Sequence, residues 1–323
     1  MAGGYGPARM PVTVVGSIAF DSVKTPFGER TRMLGGAATH FALAASFFDD
    51  VRVVGPVGED FGDEQLDVLR RRGVDVTDVE RIAGGETFFW AGEYGWDLGS
   101  RETLETRLGV FADFEPKLSP GAQGSDVLFL ANIQPDVQRA VRAQCTGARF
   151  AALDSMNLWI EIARDSLVQT IATVDCLVLN DAELRQLTGK PGLLAAAREV
   201  LSWSPPGPGV IIAKQGEYGA ALFTSDGFFS LPAFPLASVI DPTGAGDTFA
   251  GGFVGYIAAH GGDAADQELL RRAMAYGTAL ASFNVEEFGT ARVARLRGEE
   301  VVARVGELER MTRFSGAAIS LRG

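Results

Sequence analysis

Short apolar runs alternate along the chain with longer stretches in which apolar positions recur at helical spacing. The runs are rich in β-branched residues and predict strands at 12–18, 51–57, 127–131, 150–154, 176–180 and 210–214. The intervening stretches predict helices at 37–48, 61–72, 136–144, 165–173, 181–187 and 193–203. Strands without a polar face need helices on both sides, which crossover connections supply. The pattern therefore predicts a three-layer α/β fold with a mostly parallel sheet and functional residues at the strands' carboxyl ends.

Two segments, 22–33 and 87–114, depart from this alternation because they are extended, aromatic and interrupted by glycines. They predict a small β appendage, either a lid over a site or a cover for a sheet edge. In the carboxyl-terminal third, the pattern predicts a hairpin of strands 220–223 and 228–231 and a short strand at 238–240. It also predicts three helices, at 248–260, 266–282 and 295–313. No repeat or long linker divides the chain, so residues 1–323 are expected to form one domain.

Charge and composition exclude some classes of function. The chain has 29 Lys and Arg against 41 Asp and Glu, a formal charge of −12, which disfavours a nucleic-acid partner. Its longest run without Asp, Glu, Lys or Arg, 33–48, is too short to span a bilayer. The first ten residues, MAGGYGPARM, contain no apolar segment of a secretory signal, and their glycines predict a frayed tail. The chain has only two cysteines, and together with the features above this predicts a cytoplasmic protein.

The segment 241–252, DPTGAGDTFAGG, carries the clearest chemical signal. Small residues at a helix start leave backbone N–H groups approachable, so Gly244, Ala245 and Gly246 would form an anion site. Asp247 would stand beside that anion, where a carboxylate is suited to take a proton from an attacking hydroxyl. The alternative is that Asp247 only caps the helix. The residues alone leave both interpretations open.

DPTGAGDTFAGGF resembles, position by position, the carboxyl-terminal signature of the ribokinase-like (PfkB) carbohydrate kinases. Gly35 and Gly36, before an alanine-rich helix, resemble the family's other signature. The resemblance implies a ribokinase-like fold with a small β lid, and ATP-dependent phosphorylation of a hydroxyl on a small sugar or sugar-like acceptor. A nucleoside or inositol is the alternative acceptor. It also implies that Asp247 is the general base and that residues 244–246 form the anion hole.

The same resemblance implies sites for the nucleotide and for metal ions. Asn180 and Glu183 would organise Mg²⁺ through water, while Lys214, Gly216 and Gly219 would lie beside ATP. Asp241 and Thr243 match positions that bind a monovalent cation such as K⁺ in some members. From the residues alone, Asn180 would cap a helix and Lys214 would be a solvated strand-end lysine.

For the acceptor, the resemblance implies that Asp21 holds two hydroxyls and that Gly35 and Gly36 let the backbone approach the sugar. The chain departs from the family at His40, where asparagine is common, so the hydroxyl pattern that is recognised should differ. Two further candidates, Asn132 and Asp154, follow predicted strands. The aromatics Phe89, Trp90 and Trp96 would either stack on a ring or pack within the lid.

Other classes of function fit less well. A dinucleotide-dependent oxidoreductase needs G-x-G-x-x-G after the first strand, and residues 16–21, GSIAFD, lack the later glycines. The P-loop motif does not occur. A non-catalytic binding relative would be expected to lack the base or the anion-hole glycines, and both are present. The predicted partner is therefore a small molecule, with the protein a monomer or a homodimer.

Overall fold

The computed structural model describes residues 10–203, 207–314 and 316. The predicted amino-terminal tail, apart from Met10, lies outside this part of the chain. The described strands are β1 Val12–Val15, β2 Ala19–Thr25, β3 Gly28–Gly35, β4 Val51–Gly58, β5 Val79–Ile82, β6 Phe88–Tyr94, β7 Arg101–Arg107, β8 Val127–Leu130, β9 Phe150–Asp154, β10 Cys176–Asn180, β11 Val210–Lys214, β12 Ala220–Phe223 and β13 Phe228–Leu231.

The described helices are α1 Ala37–Ala45, α2 Asp63–Arg70, α3 Pro120–Gln123, α4 Pro135–Gln144, α5 Asn157–Ile162, α6 Arg164–Ile171, α7 Asp181–Thr188, α8 Leu193–Leu201, α9 Ala245–Ala259, α10 Gln267–Asn284, α11 Ala291–Arg295 and α12 Gly298–Thr312. None of the helices in the described residues is both long and apolar enough to span a membrane.

The central sheet has nine strands in the order β13-β12-β11-β10-β9-β8-β1-β4-β5. From β11 to β5 every neighbouring pair is parallel, and the β12–β13 hairpin adds two antiparallel strands at one edge. One core lies between the sheet and α1, α2, α9 and α10, and a second lies between the sheet and α4, α6, α7 and α8. This arrangement confirms the predicted three-layer α/β fold.

The parallel register brings polar residues together at the carboxyl edge of the sheet. Asn180 and Lys214 are partners at the ends of β10 and β11, and Asp154 ends the neighbouring strand β9. The strand β9 is buried throughout, and β10 and β11 are buried up to their last residue, because helices cover both faces of the sheet. The apolar runs that form the strands therefore also place three candidate side chains at one edge.

The segments that break the alternation form a second sheet, called here the small sheet, in the order β3-β2-β6-β7. The strand β2 pairs antiparallel with β3 and parallel with β6. All seven residues of β7 are exposed, so this edge strand contributes little to the core. The first segment begins at Ala19, three residues earlier than the sequence indicates, and this brings Asp21 into the small sheet.

One prediction in the carboxyl-terminal region is wrong. The segment 238–240 is not a strand among the described residues; its Ile240 N–H donates to Val285 O in a loop. The predicted helix 295–313 is observed as α12, which begins three residues later because Leu296 has an extended backbone with ψ 141°. The short helix α11 before it was not predicted. The short strand β5 was not predicted because its sequence, VERI, lacks an apolar run.

Candidate active site

The amino terminus of α9 is the centre of the candidate site. Gly244 precedes the helix with φ 73°, a left-handed conformation that suits glycine. A Cβ at position 244 would also collide with the His40 ring, so the loop requires glycine there for two reasons. The first amides of the helix have no partner within the helix, although Ala245 N–H donates to Pro242 O at 3.2 Å. This end of α9 is therefore suited to hold an anion.

Lys214 reaches the first turn of α9 from the end of β11. An ideal Cβ on Gly246 would lie 3.1 Å from Lys214 Nζ, so the ammonium packs against the bare backbone of that residue. The same Nζ lies 3.2 Å and 3.3 Å from the two carboxylate oxygens of Asp154. Lys214 is thus not a solvated strand-end lysine, because its side chain is only 18% exposed.

Three carboxylates surround this single ammonium. Burial raises the pKa of Asp247 to about 7, and repulsion from Asp154 adds to the effect while Lys214 opposes it. Burial likewise raises the pKa of Glu183 to about 7, again opposed by Lys214 and increased by Asp154. Burial alone would lower the pKa of Lys214, but attraction to the three carboxylates raises it overall. The cluster therefore has an excess of negative charge that a further cation would relieve.

Asn180 and Glu183 form a reciprocal capping box at the start of α7. Glu183 N–H donates to Asn180 Oδ1 at 2.7 Å, and Asn180 N–H donates to Glu183 Oε2 at 2.8 Å. Helix capping, the interpretation from the residues alone, is therefore observed. It leaves Glu183 Oε1 outside the capping box.

The donors at this edge fit a magnesium ion that keeps most of its water. In residues 10–203, 207–314 and 316, no three His, Cys, Asp or Glu side chains are arranged to hold a metal by themselves. Mg²⁺ is commonly bound by one or two carboxylates, waters and substrate phosphates rather than by a protein cage. The excess negative charge of Asp154, Glu183 and Asp247 suits such an ion.

Asp21 and the glycine pair form a second part of the site. The Asp21 carboxylate lies against Gly35, where any Cβ would collide with it, and Gly36 adopts φ 92°. Burial raises the pKa of Asp21 to about 7; the Gly36 amide opposes this, while Asp241 and Asp247 increase it. Asp21 is therefore within electrostatic reach of Asp247. The residue predicted to bind the acceptor thus lies near the residue predicted to act as the base.

His40 is enclosed behind the α9 loop. It is 3% exposed, and its Nδ1 lies 3.1 Å from Asn284 Oδ1. Its Nε2 is buried without a hydrogen-bond partner in the described part of the chain. Sequence reasoning missed Asn284, whose only signal is a polar residue at the end of an otherwise apolar helical face.

The other candidates have local partners. Asn132 accepts from Trp159 Nε1 at 3.1 Å and lies 3.2 Å from Met156 Sδ. The two Asp241 oxygens accept from the amides of Thr243 and Gly289, each at 2.9 Å. Gly216 and Gly219 have φ of 57° and 97° in the turn after β11.

The three aromatic candidates differ in exposure. Phe89 is buried and has the Arg107 guanidinium 4.5 Å from its ring centre. Trp96 is 90% exposed. Trp90 is half-buried and pairs in register with Asp21 across β2 and β6. Of the three, Trp90 is therefore the one placed beside the candidate acceptor site.

Comparisons with known proteins bear on the family to which the chain belongs. The family model described as pfkB family carbohydrate kinase matches residues 10–295. A cytidine kinase of Thermococcus kodakarensis is 29% identical over 252 residues, which are 76% of this chain and 87% of that protein. A nucleoside kinase of Methanothermobacter thermautotrophicus is 26% identical over 308 residues, which cover 89% of this chain and 93% of that protein.

The fold is shared with a solved structure. The Methanocaldococcus jannaschii nucleoside kinase, an archaeal member of the ribokinase family, superposes with a TM-score of 0.74 at 20% identity, covering 94% of this chain and all of that one. The family inferred from the two sequence signatures is thereby confirmed. The chain belongs to the pfkB family of carbohydrate kinases and is an ATP-dependent kinase.

Proposed function

We propose that this kinase transfers the γ-phosphoryl group of ATP to a hydroxyl on the ribose of a nucleoside, with Asp247 as the general base. The observation that carries the proposal is the position of Asp247. It lies in the first turn of α9, directly after Gly246, against which the Lys214 ammonium packs, and within electrostatic reach of Asp21. An acceptor held at Asp21 and a phosphate at the start of α9 would meet at this carboxylate.

The raised pKa of Asp247, about 7, suits proton transfer near neutral pH. A base with a pKa close to the working pH is both deprotonated in a useful fraction and strong enough to accept the proton. Asp247 is not the cap of the helix, because the N-cap is Gly244 and Asp247 lies within the first turn, where Asp154 and Glu183 repel its charge.

The transferred group would be held by the amides at the start of α9 and by the Lys214 ammonium. Phosphoryl transfer depends mainly on positioning and on stabilising charge spread over the phosphate oxygens. Asn180 and Glu183 are the residues that would hold Mg²⁺ through water, and the ion would supply positive charge beside the ATP phosphates. For a K⁺ ion, Asp241 and Thr243 remain the predicted residues.

The acceptor would be a nucleoside because its two halves fit adjacent features. Asp21, next to the half-buried Gly36, can accept hydrogen bonds from two neighbouring ribose hydroxyls. Trp90 lies alongside Asp21 on the same face of the small sheet and offers a flat surface for a base. The relatives named cytidine kinase and nucleoside kinase support this choice over a free sugar.

The small sheet would act as the lid. It touches the α9 loop through Tyr94, whose phenolic oxygen accepts from the Thr243 hydroxyl at 3.1 Å. Tyr94 is 8% exposed, so the contact is sheltered from solvent. A lid that closes on the loop before α9 would exclude water, which would otherwise compete with the acceptor for the γ-phosphate.

An ATP-consumption assay over a panel of acceptors tests the proposal. We expect cytidine or another nucleoside to give the highest kcat/KM, with ribose and fructose at least ten-fold lower because they leave Trp90 without a partner. Parallel assays with and without K⁺ would address Asp241 and Thr243. A free sugar or inositol as the best acceptor would contradict the nucleoside assignment, and no phosphorylation of any acceptor would contradict the function itself.

Glu183→Gln is expected to raise the Mg²⁺ concentration needed for half-maximal activity by about 10–100-fold, the usual effect of losing a group that orients a metal's ligands. The glutamine oxygen can still accept from Asn180 N–H, so α7 should keep its cap and its stability. The measurement is a Mg²⁺ titration at saturating ATP. Glu268→Gln, in the exposed first turn of α10, is the matched control. An unchanged titration would remove Glu183 from the metal site.

A further inference from the structure

One buried amide side chain, Asn284, ties the loop that leads into α9 to the end of α10. Its Nδ2 donates to Thr243 O at 2.7 Å, one residue before the left-handed Gly244. Its Oδ1 accepts from the Thr248 hydroxyl at 3.1 Å, in the first turn of α9. Asn284 is fully buried at the end of α10. One amide thus holds both sides of the proposed phosphate site.

The orientation of this amide fixes the protonation of His40. Because Asn284 Nδ2 donates to a carbonyl, Oδ1 is the acceptor, and His40 Nδ1 must carry the hydrogen that it donates across 3.1 Å. Burial lowers the pKa of His40, which favours the neutral ring. The imidazole then lies flat against Gly244, where a Cβ would overlap three of its ring atoms.

This arrangement separates His40 from any bound acceptor. Its Nε2 is buried and has no hydrogen-bond partner among the described residues, so a substrate hydroxyl cannot reach it in this conformation. The residue instead contacts Asn284 by a hydrogen bond and Gly244 by packing. Both contacts act on the backbone that supplies the anion donors.

We propose that His40 and Asn284 are a pair of positioning residues that hold the Thr243–Gly244 backbone in the geometry needed for phosphoryl transfer. His40 orients the Asn284 amide, and Asn284 holds Thr243 O and the Thr248 hydroxyl. The pair acts through the loop and contacts neither substrate. The inference rests on the proposed role of the α9 amino terminus as the anion hole.

The contacts around Gly244 explain why the loop needs the two positioning residues. Gly244 has little intrinsic preference for φ 73°, so neighbouring residues must hold it there. On one side Tyr94 binds the Thr243 hydroxyl, and on the other Asn284 binds the Thr243 carbonyl. A shift of about 1 Å in such a loop can lower a rate about 100-fold. The buried pair is therefore expected to affect the rate more than the binding of substrate.

Two single variants and their combination test the pair. Asn284→Asp keeps the shape of the side chain and its acceptor for His40 but loses the donor to Thr243 O. His40→Phe keeps a flat ring against Gly244 but loses the Nδ1–H donor. With the best acceptor from the panel, we expect each variant to lower kcat about 10–100-fold, with the acceptor KM changed less than three-fold. The double variant should lose little more than the worse single variant, because both residues act on one loop.

A change of acceptor ranking or a large rise in acceptor KM in His40→Phe would overturn the proposal, since it would show that His40 contacts the acceptor. Multiplicative losses in the double variant would also overturn it. Thr13→Val is the matched control, because it removes a buried hydroxyl that bonds Ser125 and Ala122 O, away from the α9 loop. It should lower the melting temperature without altering kcat.

A second measurement does not depend on activity. Hydrogen exchange at the backbone amides of 244–247 should be faster in Asn284→Asp than in the wild type, and unchanged in Thr13→Val. If Asn284→Asp does not fold, Asn284→Ala is measured in its place. Unchanged exchange in a folded Asn284 variant would contradict the pair. A wild-type protein inactive on every acceptor would contradict the proposed function instead, so the two failures are distinguishable.

Discussion

Asp247→Asn is expected to lower kcat by about 10²–10⁴-fold, the usual contribution of a general base. Asparagine has nearly the same shape and can still lie in the first turn of α9, but it cannot take a proton from the acceptor hydroxyl. The KM for ATP should change by only a few-fold, because Lys214 and the helix amides, the proposed contacts of the nucleotide, are left intact. Steady-state kinetics with the best acceptor would measure both quantities.

The pH dependence of kcat/KM is a second test of Asp247 as the general base. Since the pKa of Asp247 is raised to about 7, kcat/KM in the wild type should rise with pH through about 7 and level off above it. In Asp247→Asn the residual activity should lose the step that Asp247 causes. A wild-type profile that is flat between pH 5 and 8 would contradict the assignment of Asp247 as the base.

Asp247→Asn should also stabilise the folded protein at pH 8. The folded-state pKa of about 7 exceeds the ordinary value of 3.8, so between those values the native state binds more protons than the unfolded state. Stability therefore falls as pH rises through this window, and above it the wild type carries the full penalty. Removing the charge should recover about 1–4 kcal/mol in the free energy of unfolding, since one pKa unit corresponds to 1.36 kcal/mol.

The matched control is Asp226→Asn, which changes an exposed carboxylate in the turn between β12 and β13. It should alter neither kcat nor the stability difference between pH 5 and pH 8. An Asp247→Asn protein with activity within a few-fold of the wild type would show that Asp247 is not the general base. Lost activity together with lower stability at pH 8 would show that the substitution damages the fold rather than the chemistry.

The sequence predicts most of the central sheet because its strands are apolar on both faces and end in polar residues. The run from Cys176 to Leu179 can only be buried, and Asn180 follows it at the point where the chain must turn into α7. The signature around Asp247 is similarly local, since the glycines and the carboxylate lie within a few residues. Such features can be predicted because they depend on residues that are close together in the sequence.

The features that were missed depend on distant partners. His40 and Asn284 are separated by 244 positions, and nothing near either residue indicates the hydrogen bond between them. Tyr94 and Thr243 are separated by 149 positions. The segment 238–240 is apolar enough to resemble a strand, but no neighbouring strand is available to pair with it. The sequence therefore predicts which residues would bear the chemistry, while the fold decides which residues hold them in place.

Lys214→Met is expected to have the second largest effect, on both stability and catalysis. The ammonium and the Asp154 carboxylate are 18% and 6% exposed, so removing the lysine leaves a buried charge without its partner. Such a loss typically costs about 3–5 kcal/mol in the free energy of unfolding. The rate should fall about 10²–10³-fold, since Lys214 would stabilise charge on the transferred group.

The loss of stability should be larger at pH 8 than at pH 5. Burial raises the pKa of Asp154 above 3.8 even though Lys214 opposes the shift, and without Lys214 the pKa rises further. At pH 5 much of the Asp154 population can then take up a proton and escape the penalty. At pH 8 a greater share remains charged, so denaturant melts at the two pH values should differ more in Lys214→Met than in the wild type.

The double variant Asp154→Asn/Lys214→Met separates the two roles of the lysine. Removing the stranded carboxylate should restore most of the lost stability, whereas the rate should stay low because no cation remains at the first turn of α9. Lys190→Met, which removes an exposed lysine paired with Glu199, is the matched control and should leave both quantities unchanged. A double variant that regains wild-type kcat would show that Lys214 serves only to neutralise Asp154. A stable but inactive double variant, with Asp154→Asn alone still active, would place the lysine's charge in the chemistry itself.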